Sequence, residues 1–186
     1  AVGYYGDKGE NLVDESSPPG GDFLAQLSID WEKTAVKAEE KGARVVNPRF
    51  ALVIAKNGGT LAAMLPAFKS FMGGPLAGGR QWMPWIHTLD LARAMRFVID
   101  TPDISGPVNF AAPNPVRNED FAKTLGGVLN RPAFFRTPKF VLQAALGELG
   151  SLMLNSQRVV PEILRQHGFD FKYAELKSAL EAELNP

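Results

Sequence analysis

Three side chains beside predicted turns could exchange a proton with a bound molecule. Tyr4 and Tyr5 follow Gly3 in the opening stretch AVGYYG, and a phenol can serve as a general acid or base. His87 ends the stretch RQWMPWIH at a predicted strand–helix junction, and imidazole titrates near neutral pH. We therefore take Tyr4, Tyr5 and His87 as catalytic candidates. Packing or turn roles for the tyrosines, and a structural hydrogen-bonding role for the histidine, are the alternatives.

The stretch RQWMPWIH also contains side chains that suit a substrate pocket. Aromatic and apolar side chains line most small-molecule sites, with a few polar groups that fix orientation. The predicted substrate pocket is formed by Arg80, Trp82, Met83 and Trp85. The same apolar side chains would equally suit a core between two domains. The two histidines of the chain lie far apart in sequence, so we predict no metal site.

A charged residue interrupts the apolar, strand-like run NPRFALVIA. Arg49 lies where this strand approaches the carboxyl edge of the predicted sheet, and open α/β folds bind ligands at that edge. Its guanidinium could orient backbone or a carboxylate near a ligand, or it could be buried and bonded to loop carbonyls. Asp14 and Glu15, in the opening loop, could face the same site. Glu32, on the first predicted helix, is interpreted as a solvated or helix-pairing charge.

The composition is that of an ordinary globular chain with balanced charge. The 186 residues include 20 Lys and Arg and 20 Asp and Glu, and 45% are hydrophobic. With zero net charge, the chain has no excess positive charge that would favour binding to nucleic acid or an anionic membrane. The absence of cysteine excludes disulfides, iron–sulfur clusters and thiolate zinc sites, and it fits a cytoplasmic location. We expect a small-molecule substrate and consider a homodimer; we expect neither nucleic acid nor a membrane as partner.

Helices and short buried strands alternate along the chain. Asp22 is the predicted N-cap of a helix that runs to Lys41 and ends at Gly42. The Val-rich run at 43–55 follows directly, an arrangement typical of β–α–β units that predicts a parallel sheet. The end of a strand is expected at 1–4 and a short strand at 106–112. Helices are expected at 60–72, at 88–100 capped by Thr88, at 118–130 capped by Asn118, and within 139–154, 161–167 and 173–184. Core or a partner-facing stripe is predicted for Phe134, Phe135, Phe140, Leu142, Leu146, Leu149, Leu152 and Leu154.

The order of motifs resembles that of a known family. AVGYYG, WEKTA, RVVNPRFALVIA, GGTLAAMLPAF, GGPLAGGRQWMPWIH, LDLARAM and NFAAPNPVRNEDFAKTLGGVLNRP follow one another. This series resembles the C-terminal portion of the atypical extended short-chain dehydrogenase/reductases, the NAD-dependent epimerase/dehydratase-like proteins. The resemblance implies an α/β fold, with the C-terminal part of a Rossmann-type parallel sheet and a mostly helical substrate-binding lobe. Residues 1–57 would end a dinucleotide-binding domain whose front half is missing, and 58–186 would form the lobe, with the chain returning to the sheet near 86–112.

The resemblance also implies residue roles. Gly3, Arg49, Phe50, Ala51 and Leu52 would lie against the dinucleotide, with the last three near the nicotinamide. The family's Tyr-x-x-x-Lys pair would fall on Leu24 and Ser28, neither of which can transfer a proton or carry a positive charge at neutral pH. The arginine that grips a sugar nucleotide's diphosphate would fall on Met83, and Arg80 could substitute in part.

Two functions are compatible with this departure from the family pattern. The first is an NAD(P)-dependent oxidoreductase or epimerase-like protein that acts on a small carbonyl or sugar-like substrate. Its full-length form would bind NADP or NAD, and the present portion would bind no cofactor and be inactive alone. The alternative is a dinucleotide-binding sensor or scaffold without turnover, whose helical lobe docks a partner. The missing Tyr-x-x-x-Lys pair favours the alternative, and the run of motifs favours the first.

Overall fold

The structure is a computed structural model that describes residues 1–147, 150 and 153–184. The predicted stripe residues Leu149 and Leu152 lie outside this part, as does the side chain of Leu146. The α-helices are α1 (Phe23–Val36), α2 (Gly59–Lys69), α3 (Thr88–Asp100), α4 (Asn118–Leu129), α5 (Lys139–Leu146), α6 (Glu162–Gln166) and α7 (Leu176–Leu184). Two 3-10 helices cover Val2–Tyr5 and Lys37–Lys41.

Parallel strand pairs form the framework. The strands are β1 (Leu12–Val13), β2 (Val46–Phe50), β3 (Leu52–Ile54), β4 (Trp82–Met83), β5 (Trp85–His87), β6 (Gly106–Phe110), β7 (Val116–Arg117) and β8 (Arg158–Val159). The parallel pairs are β1 with β8, β2 with β6, and β3 with β5. β4 and β7 are antiparallel. Parallel pairs with helices as crossovers confirm the predicted α/β class.

The run predicted as one strand at 43–55 divides into two strands that have different partners. The Ala51 amide donates to the Phe110 carbonyl at 3.1 Å, and the next amide, of Leu52, donates to the Pro84 carbonyl at 3.1 Å. The chain therefore leaves β6 and joins β5 within one residue. The hydrophobic pattern of the sequence does not show this change of partner strand, because both halves of the run are apolar and extended. This step puts Arg49 and Leu52 in different surroundings although only three positions separate them.

Of the three predicted helix N-caps, one is found in the structure and two are wrong. The Asp22 carboxylate accepts from the Ala25 amide at 2.9 Å, as predicted for the cap of α1. α3 is capped by His87 instead of the predicted Thr88, because Nδ1 of His87 accepts from the Leu89 amide at 3.1 Å. Asn118 does not cap α4. Its side-chain oxygen accepts from the Leu76 amide at 2.7 Å and so fixes the glycine-rich loop before β4.

Residues 1–4, where the sequence predicts a strand end, are helical instead. The Tyr4 amide donates to the Ala1 carbonyl at 3.0 Å, and the Gly6 amide donates to the Gly3 carbonyl at 3.1 Å. No strand in the described part of the chain pairs with this segment, so local bonds satisfy its backbone groups. Gly6 then ends the turn with φ of 64°, a left-handed conformation that favours glycine.

Three apolar clusters hold the elements together. The largest joins α2, α4 and α7 to β3 and β5, and a second packs α3 and α6 against β5 and β6. The third is small and lies beneath the opening segment; its members are Tyr5, Val13, Ala51, Ala111 and Val159. Burial of each large apolar side chain contributes roughly 1.5–3 kcal/mol. Ala51, between β2 and β3, packs in the small cluster, so this cluster helps to hold the junction of the two strands.

Candidate functional site

A buried polar network occupies the side of β2 that faces α1. The Arg49 guanidinium, 2% exposed, binds the Glu32 carboxylate with two bonds of 2.8 Å, from Nε and Nη2. Nη1 donates to the Tyr5 hydroxyl at 2.8 Å. Two parallel bonds from a guanidinium to a carboxylate fix both groups in one plane. The interpretation of Glu32 as a solvated or helix-pairing charge is therefore wrong, because this carboxylate neutralises Arg49.

The hydrogen bonds of Tyr5 in this network do not leave its proton free for transfer to a ligand. Its hydroxyl donates to Oδ1 of Asn109 at 2.7 Å while it accepts from Arg49, and the side chain is 0% exposed. Burial raises the pKa of Tyr5 to about 12, and the bond from Arg49 opposes that rise only in part. A phenol in this state is a poor acid or base near neutral pH. These contacts are those expected for the packing alternative, and the catalytic assignment of Tyr5 stays a prediction.

Tyr4 lies on the other side of the guanidinium. The Arg49 Cζ atom is 3.5 Å from the centre of the Tyr4 ring, within cation–π range, and the Tyr4 and Tyr5 rings meet edge to face. Tyr4 is half-buried. The structure brings both candidate tyrosines to Arg49, where they bind and cover its charge.

The acidic residues of the opening loop have separate structural partners. The Glu15 carboxylate accepts from the backbone amides of Asn109, Glu162 and Ile163 at 2.9, 3.1 and 3.3 Å. Burial raises the pKa of Glu15, and these amide bonds oppose the rise. Asp14 binds Ser16 within its own turn. Glu15 thus ties the loop to β6 and α6, where the sequence left open that it could face a ligand.

An apolar cleft of about 230 Å³ lies beside Leu52 of β3, and its described lining includes none of Arg49, Glu32 and Tyr5. Its walls come from the first turn of the chain, from α2, from the β4 region and from the segment before β8. The lining residues are Val2, Leu52, Thr60, Met64, Leu76, Trp82, Met83, Pro84, Met153, Asn155 and Gln157. Among these described residues none carries a charge. The cleft is the concave, mostly apolar and locally polar kind of site that binds small molecules.

The predicted substrate pocket is placed in part around this cleft. Trp82 and Met83 line it. Trp85 does not: it is 0% exposed in the largest apolar cluster, and its Nε1 donates to the Asn114 carbonyl at 3.0 Å. Arg80 is exposed and lies outside the cleft, beside a separate surface groove. Trp85 is therefore core, and Arg80 is not a cleft residue.

Trp82 is held rigidly at the cleft wall. Its Nε1 donates to Oε2 of Glu10 at 3.1 Å, and the guanidinium carbons of Arg117 and Arg158 lie 4.3 and 4.7 Å from an indole ring centre. Arg117 also binds the Glu10 carboxylate with bonds of 2.8 and 2.6 Å. The bond to Arg117 lowers the pKa of Glu10. These contacts fix the indole before any ligand arrives.

Several cleft residues escaped the sequence reasoning. Thr60 and Met64 are four positions apart on α2, so the helical period could have shown that they share a face. Gln157 had no comparable signal. Its side-chain nitrogen donates to the Val2 and Gly6 carbonyls at 3.1 and 3.0 Å, and a contact across 155 positions leaves no local pattern.

His87 is separated from the tyrosines and from the cleft lining. Its Nδ1 caps α3, its ring packs on Tyr173 with centres 4.0 Å apart, and its Nε2 lies 3.4 Å from the Glu183 carboxylate. Nε2 makes no hydrogen bond of good geometry in the described structure. Burial lowers the pKa of His87, and Glu183 opposes this in part. These contacts are those of the structural alternative.

The cofactor candidates divide between the two regions. Leu52 lines the cleft, whereas Arg49 belongs to the polar network, Ala51 to the small apolar cluster and Phe50 to the second cluster, against Phe110. Gly3 packs against Leu24, and a methyl group added there would meet the Leu24 Cβ at 3.4 Å.

The glycine-rich loop GGPLAGG does not form a phosphate cradle. Gly73 packs on the Phe68 ring and Gly74 on the Phe135 backbone, while Gly79 lies against Glu119. These glycines allow close packing inside the protein. A phosphate cradle needs backbone amides that face a ligand. Among the described residues no cluster of histidine and acidic side chains could hold a metal ion, and no helix has the length and apolar character needed to cross a membrane.

Known proteins resemble the chain along nearly its whole length. The epimerase family protein SDR39U1 homolog, chloroplastic, of Arabidopsis thaliana is 44% identical over 98% of this chain. The chain covers 52% of that protein, about half of its length. The profile of a domain of unknown function, DUF1731, matches residues 137–183.

Two solved structures share the fold. The crystal structure of human epimerase family protein SDR39U1 (isoform 2) with NADPH superposes with a TM-score of 0.94 at 32% identity, covering 100% of this chain and 64% of that one. A nucleoside-diphosphate sugar epimerase from Corynebacterium glutamicum superposes with a TM-score of 0.79 at 34% identity, covering 99% and 36%. The fold, the motif order and these likenesses agree, and they confirm the predicted resemblance to the C-terminal portion of the atypical extended short-chain dehydrogenase/reductases, the epimerase-family proteins.

Proposed function

We propose that this chain forms the substrate side of an NAD(P)-dependent oxidoreductase or epimerase-like protein. The observation that carries the proposal is the uncharged cleft beside Leu52, at the point where the chain passes from β2 to β3. Open α/β folds bind ligands at the carboxyl ends of their strands. The human relative whose fold this chain shares was crystallised with NADPH.

The described residues fit one end of a dinucleotide. Leu52, Pro84 and Val2 offer apolar contacts on which a flat nicotinamide ring can pack. The pyrophosphate end finds no cradle among the described residues, since the GGPLAGG loop is packed inward. When bound, the nicotinamide would supply or accept the hydride that interconverts a carbonyl and an alcohol, with one proton exchanged at oxygen. The phosphates would be held by a Gly-rich turn in the front half of the full-length protein, ahead of residue 1.

The usual proton-transfer pair is absent from α1. Its positions hold Leu24, which packs on Gly3, and Ser28, which is buried. The residues of the cleft that can donate a hydrogen bond to a carbonyl oxygen are Thr60 and Asn155. Gln157 cannot, because its side-chain nitrogen already donates to the Val2 and Gly6 carbonyls. The proposed chemistry therefore uses acid and base groups other than those usual in the family.

Calorimetric titration with NADPH tests the proposal. The full-length protein should bind NADPH, and the 186-residue chain alone should bind it far more weakly, because it offers only the nicotinamide contacts. Tight binding by the chain alone would contradict the division of the site between the two halves. Failure of the full-length protein to bind either NADPH or NADH would contradict the cofactor assignment.

A sensor or scaffold without turnover is the second candidate. It is favoured by the missing proton-transfer pair and by the burial of Tyr5, whose hydroxyl is bonded to Asn109 and Arg49. A screen of NADPH consumption across carbonyl compounds separates the two functions. Turnover that is lost on substitution of cleft residues would refute the scaffold, and NADPH binding without turnover would support it.

A homodimer and a cytoplasmic location are further proposals. Phe23, Trp31 and Val36 on α1 are exposed apolar side chains, which are common at contacts between subunits. Sedimentation analysis of the full-length protein would show the dimer, and a monomer at all concentrations would contradict it. The plant relative is named as chloroplastic, so imaging of a tagged full-length protein is the test of location.

A further inference from the structure

We propose that the cleft selects a small, uncharged, mainly apolar carbonyl compound and rejects nucleoside-diphosphate sugars and carboxylated substrates. This inference rests on the proposed function, because it names the substrate class of the same site. It follows from what the cleft contains and from how the neighbouring charges are already engaged.

The described lining of the cleft offers an anion no positive charge. Three thioethers, of Met64, Met83 and Met153, face it together with apolar side chains, and its described lining includes no Lys, Arg or His. Thioethers are soft and polarisable, so they adapt to apolar ligands of varied shape. A carboxylate or diphosphate placed here would lose its hydration without gaining a counter-charge, which costs several kcal/mol per ion.

The cations nearest to the cleft are committed elsewhere. Arg117 is bound to the Glu10 carboxylate by two bonds and stacks on Trp82. Arg158 also stacks on that indole, and neither arginine lines the cleft. Arg49 is bound to Glu32 beneath β2. Arg117 and Arg158 thus contact Trp82, and none of the three arginines is among the described lining residues of the cleft.

Met83 is held in the cleft wall by a contact with α4. Its sulfur accepts from the side-chain nitrogen of Asn118 at 2.8 Å, and that asparagine also binds the Leu76 amide at 2.7 Å. The thioether is thus built into the contact between the glycine-rich loop and α4. A longer, charged side chain at position 83 would break this contact, so the apolar wall is part of the local fold.

The size of the cleft sets a second limit. Its volume of about 230 Å³ is below the roughly 300–1,000 Å³ of sites that enclose drug-sized ligands. The part of the cleft that this chain contributes is therefore too small to enclose a sugar nucleotide. The separate surface groove lined by Arg80 and Lys139 also contains Asp7 and Glu10. This mixed lining does not provide a net positive surface for a diphosphate.

Matched pairs of ligands test the inference in the full-length protein saturated with NADP. Isothermal titration calorimetry would compare p-tolualdehyde with p-carboxybenzaldehyde, and methyl n-hexyl ketone with its ω-carboxylate, each pair differing by methyl against carboxylate. UDP-glucose is the sugar-nucleotide probe. We expect the methyl member of each pair to bind roughly 100-fold more tightly than its carboxylate, because burial of an unpaired ion costs several kcal/mol. UDP-glucose should show no binding.

Paired arginine substitutions locate the effect. Met83→Arg places a cation in the wall and should reduce the preference for the methyl members at least tenfold. The matched control is Met72→Arg, since Met72 is 65% exposed and lies outside the cleft lining; it should leave both affinities unchanged. The wild-type comparison needs no variant, so the inference can be judged even if Met83→Arg fails to fold.

The outcomes separate the inference from the function on which it rests. Binding of NADP with the expected preference for uncharged probes supports both. Binding of NADP with equal or tighter binding of a carboxylate or UDP-glucose, or with no binding of either methyl probe, overturns the substrate class and leaves the cofactor assignment in place. Failure to bind any nicotinamide dinucleotide overturns the proposed function and this inference with it.

Discussion

Two regions beside the β2–β3 junction differ in polarity and in how far their groups are already bonded. On one side, Arg49, Glu32, Tyr5 and Asn109 form a buried network in which the charge is paired and each hydroxyl or amide group has partners. On the other side, Leu52 faces a cleft with no charge and few polar groups. The network contains the residues that look catalytic by type, and their guanidinium, carboxylate and hydroxyl groups are already bonded to one another. The cleft contains residues that look like core, and it is open.

This contrast shows that residue type alone is a poor guide to function here. A buried arginine needs partners that cancel its charge, and the groups that do so lose their own reactivity. An apolar concavity keeps its surface available because nothing inside the protein is complementary to it. Four substitutions test the contrast, in decreasing order of expected effect on the free energy of unfolding.

Arg49→Met should have the largest effect. It leaves Glu32 without its counter-charge and removes the donor to Tyr5, and breaking a buried pair costs about 3–5 kcal/mol. Urea denaturation of the full-length protein measures this. The Glu32→Gln, Arg49→Met double variant is the control and should recover part of the loss, since no uncompensated charge remains. A loss below about 1 kcal/mol for Arg49→Met would show that the network is not the closed structural unit described.

Tyr5→Phe comes next. It removes one hydroxyl and leaves a donor of Arg49 and an acceptor of Asn109 unpaired, which costs about 1–3 kcal/mol. Turnover by the full-length protein should persist at the wild-type rate per folded molecule. Tyr4→Phe is the matched control, because the Tyr4 contact to Arg49 is made by its ring. Loss of turnover with unchanged stability in Tyr5→Phe would restore its catalytic assignment.

His87→Asn should change the pH dependence of stability more than stability itself. Because burial lowers the pKa of His87 in the folded state, the unfolded chain takes up the proton first. This contribution to stability is present above the unfolded pKa of about 6.5 and is lost as pH falls through it, by at most about 1.4 kcal/mol per pH unit. Asparagine keeps a capping oxygen and does not titrate.

The comparison for His87→Asn is urea denaturation at about pH 7.5 and about pH 5.5. Wild-type should lose more stability than the variant on acidification. His167→Asn is the control, because His167 is exposed and caps no helix N-terminus. Equal losses in wild-type and His87→Asn would mean that His87 is not held neutral by the fold.

Thr60→Val should have the smallest effect on folding, within about 0.5 kcal/mol. Thr60 lies in the cleft, and valine matches its shape without the hydroxyl. Binding of methyl n-hexyl ketone should weaken modestly, because valine lacks the hydroxyl that can donate to the carbonyl oxygen. Thr124→Val, where the hydroxyl binds only the Asp120 carbonyl of its own helix, is the matched control. A loss above about 1 kcal/mol in the free energy of unfolding for Thr60→Val, without a similar loss for Thr124→Val, would show that the Thr60 hydroxyl stabilises the fold.

Sequence reasoning identified the fold better than the site. Asp22 and Gly42 marked the ends of the first helical segment correctly, because capping and left-handed stops depend on local chemistry. The cap of α3 was misassigned to Thr88, since histidine is not among the preferred capping residues although its Nδ1 accepts equally well. The change of partner at Ala51 depends on two distant strands, so no local pattern records it.

The same reason explains the errors at the site. Trp82 and Trp85 have the same type and lie on adjoining short strands, yet one lines the cleft and the other is core. Arg49 could be interpreted as a ligand-binding or a buried residue because its partners, Glu32 and Tyr5, come from other segments. Contacts between segments distant in sequence decided each of these roles.

A crystal structure of the full-length protein with NADP and p-tolualdehyde would show whether the cleft or the Arg49 network receives the reacting molecule. We expect the aldehyde against Leu52, Trp82 and Met83, with the Arg49–Glu32 and Tyr5–Asn109 bonds unchanged. An aldehyde bound at Tyr4 or Tyr5, with the guanidinium of Arg49 released from Glu32, would contradict this expectation.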